Sequence, residues 1–237
     1  MAVMDICNEE ESDHMDEKEK AKVRKKVNNY TVGEEIANAI SHGVGAGLGI
    51  AGTVIAIVAA ARHANAITVV SVSLYGASLI ILYLISTLYH ALTAYGGKKV
   101  FQILDHCTIF LLIFGTYIPV CLSLIQGAAG WVLFGIIAAC AVLGIVFNAI
   151  DMKRWKTASL ILYVITGWAV VFSGKAVLTK IPREGLIYLL GGGLAYTFGI
   201  IFYRMKKRKY SHFIWHLFVL AGSILHYFFI LFYCCYR

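Results

Sequence analysis

Charge is what this sequence has least of. Only 14% of its 237 residues are Asp, Glu, Lys or Arg, against 59% hydrophobic residues and a mean hydropathy of +0.75. A water-soluble domain carries about 25% charged residues, so the deficit excludes a soluble domain. Eight of the thirteen acidic residues fall between Asp5 and Glu19, and the other five are Glu34, Glu35, Asp105, Asp151 and Glu184. Asp105 lies closest to the inside of an apolar run. Cysteine occurs six times but at no disulfide or metal-thiolate spacing, which excludes a cross-linked framework. Cys107, Cys121 and Cys140 stand in apolar runs as small hydrophobic residues, Cys234 and Cys235 are adjacent, and Cys7 precedes the runs. Residues 1–33 lack an apolar core with a small-residue cleavage site, which argues against a secretory signal peptide. They read as a polar, mixed-charge tail, expected to be disordered. Residues 34–237 then form one separate domain. The net charge of +8 comes without a soluble basic domain, so no nucleic-acid partner is expected.

What remains is apolar sequence in long runs. A bilayer-spanning helix needs roughly 20 such residues. Seven runs qualify, at about 36–61, 67–91, 102–125, 130–150, 158–179, 185–203 and 212–235, separated by short polar breaks. The expected fold is an all-α, seven-helix bundle crossing the cell membrane. Glycines at 43–49 and 191–193 weaken two of the runs but allow helices to approach closely, and Pro119 is placed to kink the third. Tyr227, Phe228, Phe229, Phe232, Tyr233 and Tyr236 read as lipid-facing bulk and an interfacial belt.

Lys and Arg accumulate on the cytoplasmic side of membranes. With the N-terminus inside, the inner segments hold sixteen of the 21 and the outer ends hold five, Arg62, Lys175, Lys180, Arg183 and Arg237. The sequence therefore predicts an inner N-terminus and an outer C-terminus. Under that topology polar groups of four helices fall at one depth. Glu35, Asn38 and His42 open the first run, Ser86 and His90 close the second, Asp105 opens the third, and His212 and His216 open the seventh. Ionisable groups at membrane depth are costly and mark functional sites.

His212 and His216 are four residues apart, on one face of a helix and just after the basic run that ends at Lys209. With His90 they make three imidazoles, the ligand set of a catalytic zinc site that keeps its fourth position open. Asp105 suits a carboxylate that orients or deprotonates the zinc water, and Ser86, one turn before His90, suits a supporting hydrogen bond. The soluble zinc-protease motif fails, because Phe213 stands where its glutamate belongs. A hydrogen-bond network between helices, with no metal, is the bland alternative for the same four residues. His42 reads as a packing group ahead of a fourth ligand. His226 lies ten residues beyond His216, about 15 Å along a helix, too far for the same metal. His106 points about 100° away from Asp105 around the helix, and His63 and His14 read as solvated.

The runs Glu35-x-x-Asn38-x-x-Ser41-His42, Ser86-x-x-x-His90, Leu104-Asp105 and Ser211-His212-x-x-x-His216 with His226 resemble the progestin and adipoQ receptor family. The stretches STLYHAL, GGLAYTFGIIFY and SHFIWHLFVLAGSILHYF are most similar to its bacterial hemolysin III branch. The resemblance covers about residues 30–236. It implies seven helices, a zinc ion held by His90, His212 and His216, and Asp105 bonded to the zinc water. Adiponectin receptors, which belong to that family, have been linked to hydrolysis of ceramide-type lipid amides. The hemolysin III branch is named for lysis of red cells. Leu104-Asp105-His106-Cys107 follows the bacterial branch, so the animal receptors' lipid specificity is not carried across.

The reading is a zinc-dependent hydrolase of a lipid amide or ester in membrane lipid homeostasis, with membrane lipids as substrate or ligand. In it Zn2+ polarises the carbonyl, Asp105 takes the proton, and Ser86 orients His90 or touches the oxyanion. Two rival classes remain: a pore-forming, hemolytic protein, and a receptor-like lipid sensor with structural zinc.

Overall fold

In the computed structural model, residues 30–205 and 208–236 are described. The expected tail falls almost wholly outside the described residues. Those residues are all-helical, with no strand among them. Helix α1 (Val32–His63) is nucleated by a capping box: Thr31 accepts from the Glu34 N–H, and the Glu34 carboxylate accepts from the Thr31 N–H at 2.8 Å. Acidic Glu34 and Glu35 stand in its first turn and Arg62 and His63 in its last, so both ends complement the helix dipole. Asn65 caps α2 (Ala66–Ala91) by accepting from the Thr68 N–H. Helix α3 (Tyr95–Pro119) passes at Pro119 into a π-helical stretch, Val120–Ile125. The chain then reverses through positive φ at Gln126 and Gly127 into α4 (Gly127–Asp151).

The fifth predicted span, 158–179, is broken. It comprises α5 (Lys156–Gly167), α6 (Ala169–Phe172) and α7 (Lys175–Leu178). None of the three is long enough to cross a bilayer alone, whereas six other helical stretches are. Hydrogen bonds show that the broken segment still traverses the bundle beside α3. The Tyr163 hydroxyl donates to the His106 carbonyl at 2.9 Å, Tyr117 Oη donates to the Gly167 carbonyl at 3.2 Å, and Lys180 Nζ donates to the Ile125 carbonyl at 2.8 Å. Helix α8 (Arg183–Arg204) returns, and α9 (Ser211–Ile230) runs out into a second π-helical stretch, Leu231–Cys235. Among the described residues seven apolar segments are thus present, six of them unbroken.

Helices α1 to α4 pack in sequence, α8 packs on α9, and α9 returns to α1. The chain is a multi-pass membrane protein, and its burial pattern fits that solvent. Along the first half of α1 the lipid-facing residues are Ile36, Ile40, Val44 and Leu48, while Glu35, Asn38, Ser41, His42 and Gly45 are buried. Polar groups turned inward and aliphatics turned outward are what a hydrocarbon surrounding demands. The glycine-rich runs are helical because close approach needs them. A Cβ on Gly45 would lie 2.7 Å from the Tyr83 ring, and one on Gly192 would clash with the His226 ring. Cys107, Cys121, Cys140, Cys234 and Cys235 are all unbridged.

Candidate metal site

Three helix ends meet at one end of the bundle: the start of α1, the end of α2 and the start of α9. They bring together His90, His212 and His216. Each offers one ring nitrogen, and these atoms lie within 4.8 Å of one another, the metal-capable group found among the described residues. His90 is 2% and His216 1% exposed, with His212 partly buried.

The surrounding hydrogen bonds decide which nitrogens face inward. His90 Nδ1 lies 2.6 Å from Glu35 Oε2, a carboxylate oxygen that can only accept, so Nδ1 carries the proton. The Asn38 amide is 3.4 Å from the same nitrogen, and the shorter contact prevails. His90 Nε2 is left as a bare, buried acceptor without a protein partner. Ser41 donates its own proton to the Asn38 carbonyl at 2.8 Å, so its oxygen accepts from His216 Nδ1 at 3.1 Å. His216 Nε2 is then bare as well, and it faces His212 Nε2 at 3.1 Å. Two ring nitrogens bound tetrahedrally to one ion at 2.0–2.1 Å would stand about 3.3 Å apart. The donor set, the orphaned Nε2 and this spacing therefore fit a divalent cation.

The sequence-predicted residues are not all brought into this group. Ser86 is 1% exposed, one turn before His90, and its hydroxyl has no partner. Asp105 is outside the three-histidine group; its carboxylate is 4.0 Å from His106 Nδ1, with the phenols of Tyr30, Tyr89, Tyr163 and Tyr203 in its field. Tyr30 precedes α1 and stacks on the His212 ring at 4.9 Å. Burial pushes its phenol up, and the charges of Glu35 and Asp105 add to that push. His42 stacks on His216 at 3.6 Å, nearly parallel, and meets Tyr83 edge-on. It packs, and it is not in the metal-capable group. His226 is engaged elsewhere: its Nε2 donates to the Leu189 carbonyl at 3.1 Å.

Sequence reasoning missed two residues. Glu35 was placed on the right face but given no partner, and Lys98 was counted only as a topology charge. The Lys98 ammonium lies 2.8 Å from Glu35 Oε1. Glu34, next to Glu35, serves the other side: its Oε1 accepts the Tyr210 N–H at 2.8 Å, holding that residue at φ 58° just before Ser211 and His212.

Between α3, α5, α8 and α9 lies an apolar cavity of about 120 Å³. Ile113, Leu160, Ile200, Tyr203, Trp215 and His226 are on its wall. Tyr203 also lies 6.3 Å, ring to ring, from His212, so the cavity reaches the neighbourhood of the site.

Residues 30–227 match the sequence profile of a family described as haemolysin-III related. The chain is 44% identical over 202 residues to Hemolysin-3 of Bacillus cereus, covering 85% of this chain and 92% of that protein. It is 40% identical over 205 residues to the Hemolysin-3 homolog of Bacillus subtilis (strain 168), covering 86% and 96%. A more distant likeness, 27% over 168 residues, is to the human Monocyte to macrophage differentiation factor, covering 65% and 66%.

Proposed function

Because this chain belongs to the haemolysin-III-related family of membrane proteins, we propose that it is a zinc-dependent hydrolase acting on an amide or ester of a membrane lipid. The observation that carries the proposal is the convergence of three imidazoles, two of which, His90 and His216, have their outer nitrogens tied to Glu35 and Ser41. The apolar cavity between α3, α5, α8 and α9 supports a lipid substrate, since its wall is made almost wholly of aliphatic and aromatic side chains that suit an acyl chain. Zinc, when bound, supplies Lewis-acid polarisation of a carbonyl and an acidified water.

The chain's own residues supply the rest. Glu35 and Ser41 hold the rings of His90 and His216 in place. The free Ser86 hydroxyl donates to the carbonyl oxygen as it gains charge. An Asp105 carboxylate oxygen accepts the proton of the attacking water and returns it to the leaving amine or alcohol. In this reading Asp105, which lies outside the three-histidine group, turns toward the histidines when substrate enters.

Metal content by elemental mass spectrometry tests the site. Detergent-purified protein is expected to hold about one zinc per chain, and a His212→Ala/His216→Ala variant none. Metal-free wild-type protein, purified without chelator, would overturn the proposal. Where zinc is found, release of fatty acid from a ceramide and from an ester analogue measures turnover. Lysis, the property in the bacterial relatives' name, is separated from turnover by comparing conductance of intact and His212→Ala protein in planar bilayers.

A further inference from the structure

Lys98 is a cation in an unexpected place. It stands in the first turn of α3, in what reads as an ordinary basic loop, yet it is only 2% exposed. A buried ammonium must be compensated, and three oxygens do so. Glu35 Oε1 is at 2.8 Å, the Leu92 carbonyl at 3.0 Å and the Tyr89 carbonyl at 3.2 Å, with the Tyr89 ring centroid at 5.2 Å. The two carbonyls belong to the last turn of α2 and its cap, the turn that carries His90. The second Glu35 oxygen is the acceptor for His90 Nδ1 at 2.6 Å.

We propose that Lys98 is a positioning residue for the three-histidine site, acting through Glu35 to fix the tautomer and the direction of His90. The ammonium holds one oxygen of Glu35, and the other oxygen can then only face His90. His90 Nδ1 must donate, and the Nε2 lone pair is presented inward. The same ammonium clamps the end of α2 to the start of α3, two turns ahead of Asp105. The helix of the proposed base and the helix of His90 therefore share one fastening. The inference rests on the reading of the histidines as a metal site, and the experiment keeps the two apart.

The full chain in detergent is loaded with Co2+, whose visible absorption reports the ligand set, and metal loss to a chelator is timed. Glu35→Gln, Lys98→Met and the double variant Glu35→Gln/Lys98→Met are compared with wild type and with His212→Ala/His216→Ala. The double variant leaves no uncompensated charge buried, so it keeps the test valid if either single variant fails to fold. Weakening of metal affinity by about 10–100-fold is expected in all three, with an altered Co2+ spectrum. Lys98→Arg, which keeps the charge, is expected to recover part of the loss. Wild-type retention and spectrum in the double variant would overturn the role of Lys98 while leaving the metal site standing. Failure of the wild type itself to hold Co2+ better than the two-histidine variant would overturn the metal site, and this inference with it.

Discussion

Glu35 and Asp105 are two carboxylates near the same histidines, and their neighbours assign them different work. Glu35 contacts His90 at 2.6 Å through one oxygen and Lys98 at 2.8 Å through the other, so its place is to hold the site together. Asp105 lies outside the three-histidine group, its carboxylate 4.0 Å from His106 Nδ1, and is the carboxylate left to take the proton. Asp105→Ala is therefore expected to keep zinc at the wild-type level and to lower turnover by about 100- to 10,000-fold, the range for loss of a general base. Equal loss of metal and activity in that variant would make Asp105 a structural residue. His90, His212 and His216 were legible in the sequence as one group because ionisable residues stand out against apolar runs. Lys98 was not, since a lysine beside a membrane span is the expected topology signal and only the fold shows it turned inward.

At the scale of the helix, the site depends on where α1 starts. Thr31 and Glu34 close the capping box, and Glu34 reaches across to the Tyr210 N–H at the head of α9. Thr31→Ala removes one cap and is expected to lower stability in detergent by about 0.5–2 kcal/mol. Glu34→Ala should cost more, because it also frees a non-glycine residue held at positive φ next to His212. Midpoints of thermal unfolding followed by circular dichroism decide the order, and a smaller effect in Glu34→Ala would remove the cross-link from the account. Gly45→Ala tests the interior of the same helix. Its Cβ would press the buried Tyr83, which packs on His42 and so on His216, with an expected cost of about 1–3 kcal/mol. The element boundaries were readable to within several residues, because the polar breaks and caps are local signals. The break of the fifth span at Trp168 was not, since apolar residues flank it on both sides, whereas the second break has a local cause in Ser173-Gly174-Lys175, with Gly174 at φ 80°.

For the molecule as a whole, the number of crossings follows from which elements meet. Tyr30 touches the rings of His90 and His212 at one end of the bundle, while Tyr236 lies 4.9 Å from the His63 ring at the other. The two ends of the described chain are therefore on opposite faces, which requires an odd number of crossings. Six helices alone would return the chain to its starting face, so the broken segment α5–α7 must carry the chain across; its course agrees, from Tyr163 bonded to His106 in the middle of α3 to Lys180, just past α7, bonded to Ile125 at the end of the π-helical stretch. Which face is cytoplasmic rests on the Lys and Arg bias. Single cysteines, placed near residue 30 and near residue 236 in a background without the native ones, give the test. In intact cells an impermeant maleimide is expected to label the site near 236 and to spare the one near 30. Labelling of both sites would mean that α5–α7 fails to cross. Labelling of the N-terminal site alone would invert the molecule and put the three histidines near the outer leaflet, so that the lipid hydrolysed would have to come from that side.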